Sequence, residues 1–175
     1  MNVFRGGDGR SLEMTNSGTA VFVDVLSLAV AALAREPWHF RFAALLTLQN
    51  QNVMGRGVVG FGLADLDWGD GPEERAAAKE FLLSVLDLAL SRHRWEELAY
   101  EAPRAEGHLR AYRDMVEAFE PATARTGAGV LPGPEEAAMA SCVRHRVLEA
   151  LPFWEACVFC TAGFEAPDDR PPHDR

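Results

Sequence analysis

The 175-residue chain has a single lysine, Lys79, against sixteen arginines, only three cysteines, and fewer bases than acids. Each shortage excludes something. With 17 basic against 26 acidic residues the formal charge is −9. A nucleic-acid binder that works through a basic surface is disfavoured, because neutralising phosphates dominates such binding. An anionic membrane is disfavoured for the same reason. Three cysteines cannot all pair within one chain, and all three lie in its last fifth, which is not the pattern of a secreted disulfide framework. The apolar run at 20–34 falls short of the roughly 20 residues of a membrane span and carries Asp24. It is no export signal either, since Asp8 and Glu13 offset Arg5 and Arg10 before it. A buried core helix in a cytoplasmic protein is the expectation. The excess of arginine over lysine reads as a composition bias, so no single arginine marks a site.

What is present is a globular composition, 48% hydrophobic and 25% charged, at a length that favours one core. The expected fold is mainly α: a small bundle of four to five helices, an N-terminal β-hairpin and a zinc-clamped C-terminal segment. The expected organisation is a helical domain over 1–120, a linker or exposed loop over 121–134, a metal-binding segment over 135–163 and a disordered tail over 164–175. Short apolar segments at Val3-Phe4 and Leu12–Met14 flank the turn Gly6–Gly9 and predict the hairpin. Ser17 or Thr19 caps a helix running to about Arg35, apolar on all sides except at Asp24 and Ser27. Pro37 opens a second helix ending near Asn50, with Trp38, Phe42, Leu45 and Leu46 inward. Residues 53–71 hold six glycines and no helical period. Pro72, followed by Glu73 and Glu74, starts a third helix to about Arg94. A fourth spans about 104–119 on Leu109, Tyr112, Val116 and Phe119. Pro134-Glu135-Glu136 opens a short fifth.

One constellation carries metal chemistry. Cys142 and His145 are separated by two residues, Cys157 and Cys160 likewise, and eleven residues lie between the pairs. Two ligands two residues apart converge on one ion from a tight turn, and two such pairs complete the tetrahedron of sulfur and nitrogen that zinc accepts. Three thiolates and an imidazole form a closed set, the mark of a structural ion. The segment 139–163, with Val147-Leu148 between the pairs, resembles the zinc-knuckle and treble-clef elements of small bacterial proteins. It lacks their usual glycine beside each pair, and if the pairs lie on helices the i, i+3 spacing still puts each on one face. Two other readings of the cysteines stay open: three buried reduced thiols, or a thiol–disulfide pair at Cys157 and Cys160.

Other patterns carry less. Gly55-Arg56-Gly57-Val58-Val59-Gly60 fits G-x-G-x-x-G, but a dinucleotide site needs a strand before it and a helix after it, so the glycines are read as serving backbone geometry in a connector. Asp65, Asp67 and Asp70 around Trp68 miss the ligand positions of an EF-hand. That acidic, aromatic loop is the candidate partner-facing surface. His39 and His108 stand alone, and the four tryptophans read as core anchors. The functional expectation is a non-enzymatic acidic binding protein with one structural zinc and a protein partner of basic surface. In size and charge it resembles bacterial immunity proteins that neutralise basic toxins. The alternatives are a metal-dependent hydrolase with Glu149 or Glu155 as base, and a zinc or thiol redox sensor.

Overall fold

The computed structural model describes residues 1–49, 59–98, 102, 104–124 and 129–132, together with the backbone of 141–142 and 147–148. The chain starts as an antiparallel hairpin, β1 (Asn2–Arg5) and β2 (Ser11–Met14), with Phe4 opposite Leu12 and Asn2 opposite Met14. Its inward positions Phe4, Leu12 and Met14 are buried, as the alternation of a half-buried strand requires. Four α-helices follow among the described residues: α1 (Asn16–Leu33), α2 (Pro37–Thr47), α3 (Pro72–Leu90) and α4 (Ala105–Ala118). A second short antiparallel pair, β3 (Ser141–Cys142) and β4 (Val147–Leu148), lies near the C-terminus. The molecule is thus mainly helical with an N-terminal hairpin, as the periodicity predicts.

The centre is α1. Every residue from Phe22 to Val30 is buried, Asp24 and Ser27 included. By length and composition α1 is the one helix among the described residues that could cross a membrane, yet more than half of it is buried within the protein. The hairpin, α2, α3 and α4 pack around it. Six large apolar side chains between Phe22 and Val30 leave water, a gross gain on the order of 10 kcal/mol set against ordering entropy. The start of α1 lies two residues earlier than the sequence suggests. Thr15, not Ser17 or Thr19, is the cap, its hydroxyl accepting from the Gly18 amide at 3.1 Å. The run Thr15-Asn16-Ser17-Gly18-Thr19 is all cap-forming residues, and the first of them, directly after β2 ends at Met14, takes the cap. At the other end the Arg35 guanidinium donates to the Ala32 and Ala34 carbonyls, covering the negative end of the dipole.

Beside β1 runs a third extended segment, parallel to it. Val3 donates to the Val59 carbonyl at 3.1 Å, Arg5 to the Phe61 carbonyl at 3.0 Å, and Arg5 bridges Gly62. Gly60 has φ of +124°, and a Cβ there would collide with the Val3 carbonyl. The last glycine of the G-x-G-x-x-G stretch therefore serves backbone geometry; its first two lie outside the described residues. Buried amides tie the join: Asn2 Nδ2 donates to Thr19 Oγ1 at 2.8 Å, Asn2 Oδ1 accepts from Val59, and Gln49 Oε1 accepts from Gly60.

Two helix ends differ from the periodicity. α2 closes at Thr47 rather than Asn50, and α3 at Leu90 rather than Arg94. In the second case Arg92 and Arg94 adopt left-handed backbone, φ 62° and 60°, and turn the chain out of the helix. Arg92 is held there by Glu106 at 2.6 Å and lies over the Trp95 ring. The hairpin, α1, the 59–62 segment and α4 meet in one aromatic cluster of Phe4, Phe22, Phe61 and Tyr112, with edge-to-face centroids 5.1 to 5.9 Å apart between Phe4 and its three neighbours. Tyr112 is fully buried and its hydroxyl has no hydrogen-bond partner among the described residues; burial also pushes its ionisation far above the ordinary phenol range.

Two predictions follow from this packing. Gly60→Ala is expected to destabilise the protein by about 3 kcal/mol through strain and displacement of β1, read as a fall in the urea midpoint. Tyr112→Phe is expected to leave stability unchanged or to raise it by up to about 1 kcal/mol in the same titration, because it removes a buried hydroxyl that bonds to nothing.

Candidate functional site

The four expected metal ligands fall at the edge of what is described. Cys142 lies on β3, paired with Val147 of β4, and Ser141 pairs with Leu148. Its leading ligand is therefore on a strand rather than a helix. The four residues 143–146, which include His145, join the two strands at the Cys142 end of the ladder. The backbone of β4 runs beside α1 and α2. His145, Cys157 and Cys160, the side chain of Cys142, and the expected helix opening at Pro134 lie outside the described residues. Among the described residues no three His, Cys, Asp or Glu side chains gather in a way that could hold a metal.

Trp68 of the acidic loop turns inward as a core anchor, so the loop does not offer this aromatic ring to a partner. Trp68 is 2% exposed, its indole donates to the Leu63 carbonyl at 2.7 Å, and its ring stacks on Phe119 at 5.3 Å. The reason is the turn at Leu63–Asp65, which directs the next large side chain back to the core. The carboxylates nearby are spent on geometry. Asp67 pairs with Arg41 at 3.1 Å and accepts from the Gly69 amide. Glu74 reaches back from the third position of α3 to accept from the Asp70 and Gly71 amides, the carboxylate half of a capping box.

Residues 62–71 and 129–132 form a strap across the first turns of α2. Trp38 of α2 donates its indole hydrogen to the Asp67 carbonyl, and Arg41 Nε donates to the Pro132 carbonyl at 2.8 Å. Val130 donates to the Asp65 carbonyl at 2.9 Å, and Leu131 beside it is buried in the core. The expected anchors Phe42, Leu45 and Leu46 are buried, while Trp38 is half-buried between Phe42, stacked at 5.6 Å, and Trp68.

Sequence reasoning missed the role of His39. Its Nδ1 accepts from two backbone amides, those of Arg35 and Glu36, each at 3.1 Å. The ring lies flat on Phe81 of α3, centroids 3.6 Å apart at 7°. A histidine here takes the part that Glu or Gln plays at the third position of a capped helix. The signal was in the sequence: Pro37 fixes the first position of α2, which puts His39 at the third. Two donors on Nδ1 assign the neutral tautomer with its proton on Nε2. Burial first, then the nearby Arg35, holds the ring below its ordinary pKa of 6.5, with Glu36 acting in the opposite sense. His108 is also held below its ordinary value, by burial and then by Arg104.

Several charged side chains on α3 and α4 pair on the surface. Glu106 binds both Arg92 and Arg110, and Arg113 binds both Asp87 and Glu117. Glu106 is accordingly held below the usual carboxylate range, chiefly by Arg92. Such exposed pairs add little stability. The single lysine does more: Lys79 Nζ donates to the Glu117 and Phe119 carbonyls at 2.8 and 2.7 Å, closing the end of α4. In comparisons with family models, curated proteins and solved structures, the chain matches none.

Proposed function

We propose that this chain is a non-enzymatic, acidic binding protein of the cytoplasm whose C-terminal segment is clamped by one structural zinc and whose partner carries a basic surface. The observation that supports the metal is the register of β3 on β4. Cys142 stands at the end of the ladder that opens into 143–146, so Cys142 and the connection carrying His145 share one end of a hairpin. A cysteine at such a mouth with a second ligand three residues on is an economical half-site for a tetrahedral ion, and Cys157 and Cys160 supply the other half at the same spacing. In this reading the three thiolates and the imidazole fill the coordination sphere, and the ion joins the two chain segments that carry the pairs.

The partner reading rests on charge. The net −9 is unevenly displayed. The arginines of α4 are matched by Asp87, Glu106 and Glu117, whereas Asp70 just before α3 and Glu73 and Glu80 in its first half are exposed and form no ion pair among the described residues. A field of this kind speeds encounter with a cationic surface more than it deepens final affinity.

Protein purified without chelator is expected to carry about one zinc per chain by elemental analysis, with X-ray absorption showing three sulfurs and one nitrogen. Cys142→Ser is expected to lower zinc affinity while the helical circular dichroism is kept. Absence of metal would overturn the clamp, and an oxygen from water in the first sphere would shift the reading to hydrolysis. Association with the partner is expected to slow as salt rises from 50 to 500 mM, read as kon; a salt-insensitive kon would count against the electrostatic reading.

A further inference from the structure

The first turn of α2 holds together three things that are distant in sequence. His39 Nδ1 gathers the Arg35 and Glu36 amides, Trp38 reaches the Asp67 carbonyl, and Arg41 reaches Asp67 and the Pro132 carbonyl. The α1–α2 corner and the strap are therefore fastened by one turn of helix. All of these bonds need the turn in place, and the turn is closed by a nitrogen that can accept only while it carries no proton.

We propose that His39 is an acid-sensitive latch: when Nδ1 takes up a proton, both amide bonds are lost, the first turn of α2 opens, and the strap made by 62–71 and 129–132 is released. An imidazolium is a donor at both nitrogens, so it cannot keep the Arg35 and Glu36 amides, and two donors would then face a third. The groups around the ring do not compensate. From the α1–α2 corner Glu36 favours the proton and Arg35 opposes it. From α3 the ring meets Phe81, which carries no charge. On the strap, Asp67 is engaged by Arg41, beyond Trp38.

The sign follows from linkage. The folded ring binds its proton less readily than the free side chain, whose ordinary pKa is 6.5. The latch is therefore fully closed above pH 6.5 and loosens as pH falls through the lower folded value. Release frees the Val130 amide from the Asp65 carbonyl and the Pro132 carbonyl from Arg41.

The test is amide hydrogen exchange on the full-length chain between pH 7.5 and 5, expressed as protection relative to intrinsic rates, alongside NMR titration of the His39 ring. Protection at Arg35, Glu36 and Val130 is expected to fall together as pH drops from 6.5 toward the lower folded value, by up to about tenfold per pH unit, and to level off once the folded ring is protonated. In His39→Gln, whose side-chain oxygen accepts at every pH, protection is expected to stay flat. In His39→Ala it is expected to be low and flat. Wild-type protection that survives protonation of the ring would overturn the latch, as would a parallel loss in His39→Gln. Loss at Arg35 and Glu36 without loss at Val130 would overturn its coupling to the strap.

Discussion

A helix with no face toward water has to be wrapped on every side, and that requirement on α1 organises the rest of the molecule. From Phe22 to Val30 each side chain needs a protein neighbour. Three more helices cannot enclose it alone, so the N-terminal hairpin covers one flank with Phe4 and Met14, both 2% exposed or less. The hairpin is too short to be stable by itself. It survives because the burial that α1 needs is the burial the hairpin lacks, and the two meet in the cluster of Phe4, Phe22, Phe61 and Tyr112.

Wrapping a helix this way leaves long connections that cross apolar surface, and their backbone must be satisfied. The 59–62 segment solves this by pairing with β1, and Gly60 allows the close approach. The buried amides Asn2 and Gln49 satisfy the two peptide groups that the pairing leaves over. The strap over α2 solves it differently, through the indole hydrogens of Trp38 and Trp68 and the guanidinium of Arg41, all directed at carbonyls. A loop held by a few aimed donors rather than by a ladder depends on the element that aims them. Here that element is the first turn of α2, which is why a single histidine acceptor has leverage there.

Much of the fold was legible because it follows from local chemistry. Pro37 and Pro72 each open a helix at the expected residue, and the alternation around Gly6–Gly9 gives the hairpin. The departures have physical causes that periodicity does not contain. Thr15 outcompetes Ser17 and Thr19 because β2 ends beside it. α3 stops at Leu90, after which Arg92 and Arg94 take left-handed backbone and their side chains pair with Glu106 and Glu97. Trp68 is the core anchor expected of a tryptophan even though its acidic neighbours suggest exposure, because packing against Trp38 and Phe119 decides its direction. For the candidate site, spacing was the whole signal: Cys142 is described on its strand, and its three expected companions fall outside the described residues.

The use of the basic residues connects the fold to the surface charge. Arg10 donates to the Asp114 carbonyl, Arg35 to those of Ala32 and Ala34, Arg41 to Pro132, Arg75 to Gly69, and Lys79 to Glu117 and Phe119. These carbonyls sit in the last turns of helices and in loops, where a cation is a strong donor. Among the described residues Arg35 and Arg75 are committed to carbonyls alone, whereas Arg10 and Arg41 also hold Asp8 and Asp67. The body therefore acquires its closures and its negative exterior from the same assignments. Composition bias explains why arginine outnumbers lysine; the positions where the bases are anchored explain why Asp70, Glu73 and Glu80 are left facing solvent.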